Sequence, residues 1–260
     1  MLEKEYIEVG ENTSKHVINK VQKGSIAEEL GIEVGDILLA IDDKEIEDVF
    51  DYRYYINSES MLMLIQKKDG EVWELDIEHN YEDIGIEFGS GLMCDYRTCT
   101  NNCVFCFIDQ MPKGMRDTLY FKDDDSRLSF LQGNYVTLTN MKDADIDRII
   151  RFNLAPINIS VHTTNPELRK KMLHNRFAGE SLRYIDKLYE KNVPMNGQVV
   201  MCPGYNDGEE LRKTLNDLLK YAPTMESVSV VPVGITKFRD DLPRLTLVDK
   251  AKAIETIGII

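Results

Sequence analysis

The spacing of hydrophobic and polar positions changes near residue 88, and that change divides the chain. Before it, short apolar runs alternate with glycine turns. His16, Val17, Ile18 and Val21 form a short apolar strand. Lys23-Gly24-Ser25 is a turn ending in a cap residue, and Ile26, Ala27 and Leu30 supply one helical face. Gly31 ends that helix and Gly35-Asp36 turns the chain into a strand over 37–41. Ile46, Val49, Phe50 and Tyr54 stand at helical spacing within 46–57. The runs 61–65 and 71–77 predict a hairpin across Lys68-Asp69-Gly70.

After residue 88, strand patterns at 89–93, 135–139, 157–161, 194–201 and 227–233 alternate with helical patterns at 143–152, 180–190, 208–221 and 248–259. Alternation of this kind implies parallel sheet units. The predicted fold class is α/β, with a partial TIM-like barrel over 81–260 preceded by a small β-rich domain over 1–80. A final strand is missing from the pattern, so a truncated or short barrel is expected. The stretch 107–134 has no clear periodicity and carries three consecutive aspartates, 123–125. A stretch this long without regular structure is expected to be functional or mobile, and a lid over the site is one such role.

Composition narrows the setting. The chain has 260 residues, 31 Lys plus Arg against 45 Asp plus Glu, and a net charge of -14. That balance disfavours an electrostatic grip on nucleic acid or an anionic membrane. No apolar run is long enough for a membrane span, and the chain opens without a signal-like segment. Five cysteines stand at 94, 99, 103, 106 and 202, an odd count with four close together. This reads as metal ligation in a reducing cytoplasm rather than a disulfide framework.

Cys99, Cys103 and Cys106 are the strongest chemical signal. Three thiolates separated by three and two residues suit an iron-sulfur centre or zinc. A closed zinc site needs a fourth ligand, for which Cys94 and then His79 are the candidates. Buried inert thiols are the remaining alternative.

Two resemblances sharpen this reading. Gly24-Ser25-Ile26-Ala27, Gly31-Ile32 and Gly35-Asp36-Ile37-Leu38 resemble a bacterial-type PDZ domain over roughly 12–80. Such a domain implies a peptide or protein partner added as a strand, or a structural docking role. The usual carboxylate loop is not seen near the amino terminus, and Ile84-Gly85-Ile86-Glu87-Phe88 is expected to take its part in a permuted arrangement. The cysteine spacing, with Phe105 before the last cysteine, resembles the radical S-adenosylmethionine (SAM) enzymes. With Cys-Val-Phe-Cys-Phe-Ile-Asp-Gln-Met-Pro-Lys-Gly around it, the chain resembles PDZ-containing iron-sulfur oxidoreductases of that superfamily. Members carry a further carboxyl-terminal domain of unknown function, and the resemblance implies that these 260 residues stop short of it.

The resemblance implies a 4Fe-4S cluster on Cys99, Cys103 and Cys106, with SAM on the open iron. It also implies reductive cleavage to a 5'-deoxyadenosyl radical, an unidentified substrate, and a reductant such as flavodoxin or ferredoxin. It places Phe105 near the adenine. The remaining expectations sit at strand ends. Thr139 or Asn140 would accept from the SAM ammonium where the family has a glycine-rich motif, and a turn-capping role for Asn140 stands beside this. Ser160 and His162 share a face and would touch ribose, carboxylate or substrate. His162 would also move a proton, or else be a satisfied structural histidine. Gln198 would point into the barrel, and Cys202 would donate a hydrogen atom or pack inertly. Gly234 would allow close approach to adenine or form a plain turn. The competing readings are a PDZ-type scaffold with a structural metal and a simple iron-sulfur electron carrier.

Overall fold

A computed structural model describes residues 16–260, and residues 1–15 of the expected first domain lie outside the described residues. The chain divides into two compact units, 1–96 and 97–260.

The first unit runs β1 (Ile18–Val21), α1 (Ile26–Glu29), β2 (Ile37–Ile41), β3 (Lys44–Glu45), α2 (Val49–Tyr55), β4 (Ser60–Gln66), β5 (Val72–Glu78) and β6 (Ile86–Phe88). Four strands form an antiparallel sheet in the order β3-β2-β4-β5, and β1 pairs antiparallel with β6. In β4 the pleat sends Met61, Met63 and Ile65 into the core. The expected hairpin is therefore present, as β4 and β5. Ser25 caps α1 by accepting from the Glu28 N–H. Asp36 holds the Gly35-Asp36 turn, because its carboxylate accepts from the Glu33 N–H at 2.7 Å and from Lys67 Nζ at 2.6 Å.

The segment 84–88 does return to the start of the unit. Gln22 N–H donates to the Gly85 carbonyl and Ala27 N–H to that of Ile84. The strand expected at 89–93 is not formed. Ser90 Oγ accepts from the Leu92 N–H, Ser90 O accepts from the Met93 N–H, and Met93 has a φ of 63°. A serine side chain that bonds its own neighbourhood competes with strand pairing.

The second unit holds α3 (Ser126–Gln132), α4 (Asp143–Arg151), β7 (Ile157–Ser160), α5 (Pro166–Leu173), α6 (Arg183–Glu190), β8 (Met195–Met201), α7 (Gly208–Leu219), β9 (Met225–Pro232) and α8 (Lys250–Ile259). Its sheet is parallel, in the order β7-β8-β9. This is a mixed α/β unit, and a TIM barrel is not shown. Among the described residues the strand expected at 135–139 contributes one parallel bridge, Val136 to Ile159. The reason is local. Asp124 accepts from both the N–H and the Oγ1 of Thr137, Arg169 donates to the Thr137 carbonyl, and Leu138 has a φ of 64°. Backbone groups that a strand ladder needs are taken by side chains.

The two faces of the sheet differ. Ile157, Ile159 and Met195 pack on Ile146, Ile149, Ile185 and Leu188 from the helices. On the other face Asn158, Asn196 and Ser227 stand in register and are joined by hydrogen bonds of 3.1 and 2.6 Å. Ser160, Gln198 and Ser229 form the next row. A row of uncharged polar groups on a parallel strand face is unusual, because such strands normally read as continuous apolar runs.

The stretch 107–134 is more ordered than its sequence suggests. It contains 3-10 turns at Ile108–Gln110 and Asp117–Tyr120, then α3, capped by Asp125 and ended by Gly133 in the left-handed region.

Candidate functional site

The three cysteines lie on an irregular loop laid over the carboxyl ends of the parallel strands. Cys103 and Phe105 pack against Met172, Leu173, Cys202 and Val233. The Phe105 ring lies 4.6 Å from that of His162, just past β7. Gln110, fully buried, fastens the loop to the segment after β9. Its Nε2 donates to the Cys106 and Gly234 carbonyls at 3.2 and 3.3 Å, and its Oε1 accepts from the Thr236 N–H. The end of α5 holds the loop from the other side, since the Asn102 and Val104 N–H groups donate to the Leu173 and Met172 carbonyls.

Helix α5 can do this because its start is well specified. Asn165 Oδ1 accepts from the Glu167 and Leu168 N–H groups, and Pro166 occupies the first turn. The run Arg169-Lys170-Lys171 reads in sequence as a surface patch, and the structure corrects this at its first member. Arg169 is fully buried. It donates to the carbonyls of Val161, Ala178, Thr137 and Ser160 and to Ser181 Oγ. Desolvation lowers its pKa to about 10, so it remains a cation at neutral pH. Arg176 lies over the Phe177 ring.

Burial raises the pKa values of all three thiols; neighbouring thiolates add to it at Cys99 and Cys103, and the Asp109 charge adds to it at Cys106. Lys122, paired with Asp109 at 2.6 Å, opposes this at Cys106. Thiols that resist ionisation alone are stabilised as thiolates by a bound cation. None of the three is in a disulfide. Among the described residues, no group of three or more His, Cys, Asp or Glu side chains is placed to hold one metal ion. Three unbridged cysteine thiols on one loop are a donor set whose chemistry suits an iron-sulfur centre or zinc.

The structure places the other expected residues as follows. Asn140 neither caps a turn nor faces open space. Its Nδ2 donates to the Thr98 carbonyl and its Oδ1 accepts from Thr100 Oγ1, so it clamps both sides of Cys99. Thr139 Oγ1 donates to Asn101 Oδ1 at 3.0 Å. The backbone of Ser160 is held by Arg169 and Val136. Gln198 is half-buried on the polar strand face, and its carbonyl accepts from both Val161 and His162.

His162 has a φ of 63°, and the Thr163 N–H donates across it to the Val161 carbonyl at 2.8 Å, the pattern of a strained γ-turn. Its Nδ1 accepts from the Val200 N–H, which leaves the ring proton on Nε2. Burial and then the Arg169 charge lower its pKa to about 3. His162 is thus a neutral ring at working pH, which suits a hydrogen-bond donor better than a proton shuttle. Cys202 is fully buried among apolar side chains, with its thiol pKa raised to about 12 by desolvation. Gly234 is exposed, and a Cβ there would meet nothing within 4 Å, so no close approach requires a glycine.

Sequence reasoning missed Asn101, Asp124, Gln110 and Arg169. Asp124 sits in the acidic run of the 107–134 stretch, and it is 3% exposed and raised in pKa chiefly by that burial. The first unit holds a separate feature. A cleft of about 720 Å³ lies between α2 and β6, lined by Tyr52, Arg53, Tyr81, Ile86 and Phe88 among others.

A family model described as a radical SAM-like domain matches residues 78–228, more than half of the chain. A PDZ domain model matches residues 17–67. No curated protein matches. Among solved structures, the chain is similar to a radical SAM methyltransferase from Sphaerobacter thermophilus. That likeness has 12% identity and a TM-score of 0.36, over 92% of this chain and 79% of the other, and it carries no argument about the reaction. The cysteine loop and the extent of the family match lead to one conclusion: the chain belongs to the radical SAM-like family and carries a PDZ domain ahead of that region.

Proposed function

We propose that the second unit is a radical SAM enzyme, with Cys99, Cys103 and Cys106 holding a 4Fe-4S cluster. The observation that carries this reading is three unbridged, half-buried thiols on one loop at the carboxyl ends of parallel strands, where ligands of such sheets bind. When bound, the cluster and SAM supply a one-electron cleavage that gives methionine and a 5'-deoxyadenosyl radical. The chain's own residues bind, orient and shield. Phe105, tilted against the His162 ring, offers an apolar wall to an adenine, and the Nε2–H of His162 is a neutral donor beside it. The Ser160, Gln198 and Ser229 row offers hydroxyl and amide groups to ribose or substrate. An external one-electron donor such as flavodoxin or ferredoxin completes the cycle.

Anaerobic reconstitution followed by an assay for 5'-deoxyadenosine tests this. The wild type should form the product under a strong reductant, and Cys99→Ala, Cys103→Ala and Cys106→Ala should each lose both product and cluster absorbance. Cys94→Ala and Cys202→Ala should keep the cluster. A fully loaded, reduced protein that makes no 5'-deoxyadenosine would overturn the reading.

The first unit supports a second reading, peptide binding in the α2–β6 cleft. One edge of β6 pairs with β1, and among the described residues no strand pairs its other edge. The Tyr52 hydroxyl at the cleft is buried without a hydrogen-bond partner. An added strand would use both. A displayed peptide library panned on the full chain should yield binders that Tyr52→Phe weakens about tenfold, and absence of enrichment would count against it.

A further inference from the structure

Asn101 follows Cys99 by two residues and is buried. Its backbone N–H lies 3.4 Å from Cys99 Sγ, and its Nδ2 lies 3.5 Å from the same sulfur. The amide is held at both ends. Nδ2 also donates to Thr137 Oγ1 at 2.9 Å, and Oδ1 accepts from Thr139 Oγ1 at 3.0 Å and from Asn175 Nδ2 at 2.8 Å. Two donors face the amide oxygen and two acceptors face its nitrogen, so the amide has one satisfied orientation. Thr137 Oγ1 in turn donates a hydrogen bond to Asp124 Oδ2 at 2.6 Å. The chain therefore runs from the buried carboxylate through a hydroxyl to an amide N–H that ends on a ligand sulfur.

We infer that Asn101 is a positioning residue for the cluster, and that its side-chain N–H raises the cluster's reduction potential by donating to the Cys99 sulfur. This rests on the reading that Cys99 is a cluster ligand. Reduction adds negative charge to the cluster and its sulfurs. A fixed donor at one sulfur stabilises the reduced form more than the oxidised form. The effect is larger in a buried site than in water. The backbone N–H survives any substitution at 101 except proline, whereas the amide N–H is specific to the side chain. Thr139 acts through Asn101, by accepting no part of the sulfur contact and fixing the oxygen end.

The test is an EPR-monitored redox titration of the anaerobically reconstituted full chain. Asn101→Leu should lower the midpoint by about 59 mV, a tenfold change in a one-electron equilibrium. Thr139→Val should lower it by less, in the same direction. Loosened packing that let water reach the cluster would raise the midpoint, because water stabilises the more negative reduced form, so the direction of the shift separates the two causes. A loaded Asn101→Leu protein with an unchanged or higher midpoint overturns the inference. If that variant does not take up the cluster, Thr139→Val decides, and an unchanged midpoint there overturns it. A wild type that takes up no cluster overturns the functional reading instead, and this inference with it.

Discussion

His162 shows how one residue can couple a site to the stability of its unit. Its folded pKa is about 3, against an ordinary value of about 6.5, because a buried ring beside Arg169 resists charging. The unfolded chain therefore binds more protons between those values, and stability rises with pH across that window. The contribution is fully present above about pH 6.5 and is lost as pH falls toward 3. Asp124 works with the opposite sign, since its raised folded pKa makes the folded state take up a proton more readily than the unfolded chain. His162→Gln keeps an acceptor for the Val200 N–H and removes the titration. Urea unfolding at a series of pH values should show a flatter acid limb for the variant, with a difference on the order of a few kcal/mol at pH 4. An unchanged slope would show that the imidazole does not set it.

At the scale of elements, the β1–β6 junction depends on one glycine. Gly85 has a φ of 84°, and a Cβ there would stand 2.3 Å from Ser25 Cβ, on the residue that caps α1. Gly85→Ala should destabilise the first unit by about 2 kcal/mol or more, through both the backbone and the clash. Thermal unfolding followed at the single tryptophan, Trp73 on β5, would report it, and an unchanged transition would mean that the junction yields freely. Elements with strong local signals were legible from sequence. The β4–β5 hairpin, α7 and β8 follow from apolar period and turn chemistry. Helices α3 and α5 were not recognised, although Asp125 and Asn165 are good caps, because a charge run masked each periodicity. The strand expected at 135–139 failed for a reason no local pattern carries. Its backbone is claimed by Asp124, from the preceding loop, and by Arg169, from a later helix. In the site, the cysteines were legible from spacing. The residues that hold their loop, Asn101, Gln110 and Asn140, were missed or misassigned because their partners are distant in sequence.

For the whole molecule, the charge of -14 describes the surface more than the site. Among the described residues near the cysteines, the buried Arg169 and Asp124 are each held by hydrogen bonds rather than directly paired with one another. No described helix is long and apolar enough to cross a membrane. The clamp through Gln110 bears on how the protein is made. Gln110 reaches Gly234 and Thr236, 124 and 126 residues downstream, and Val104 accepts from Arg239, 135 residues downstream. The cysteine loop cannot be finished until the ribosome has released the end of β9 and the segment after it. At ordinary rates of synthesis that interval is on the order of ten seconds. During it the three thiols emerge ahead of their protection, exposed to oxidants and stray metals, and the segment after β9 is what fastens their loop.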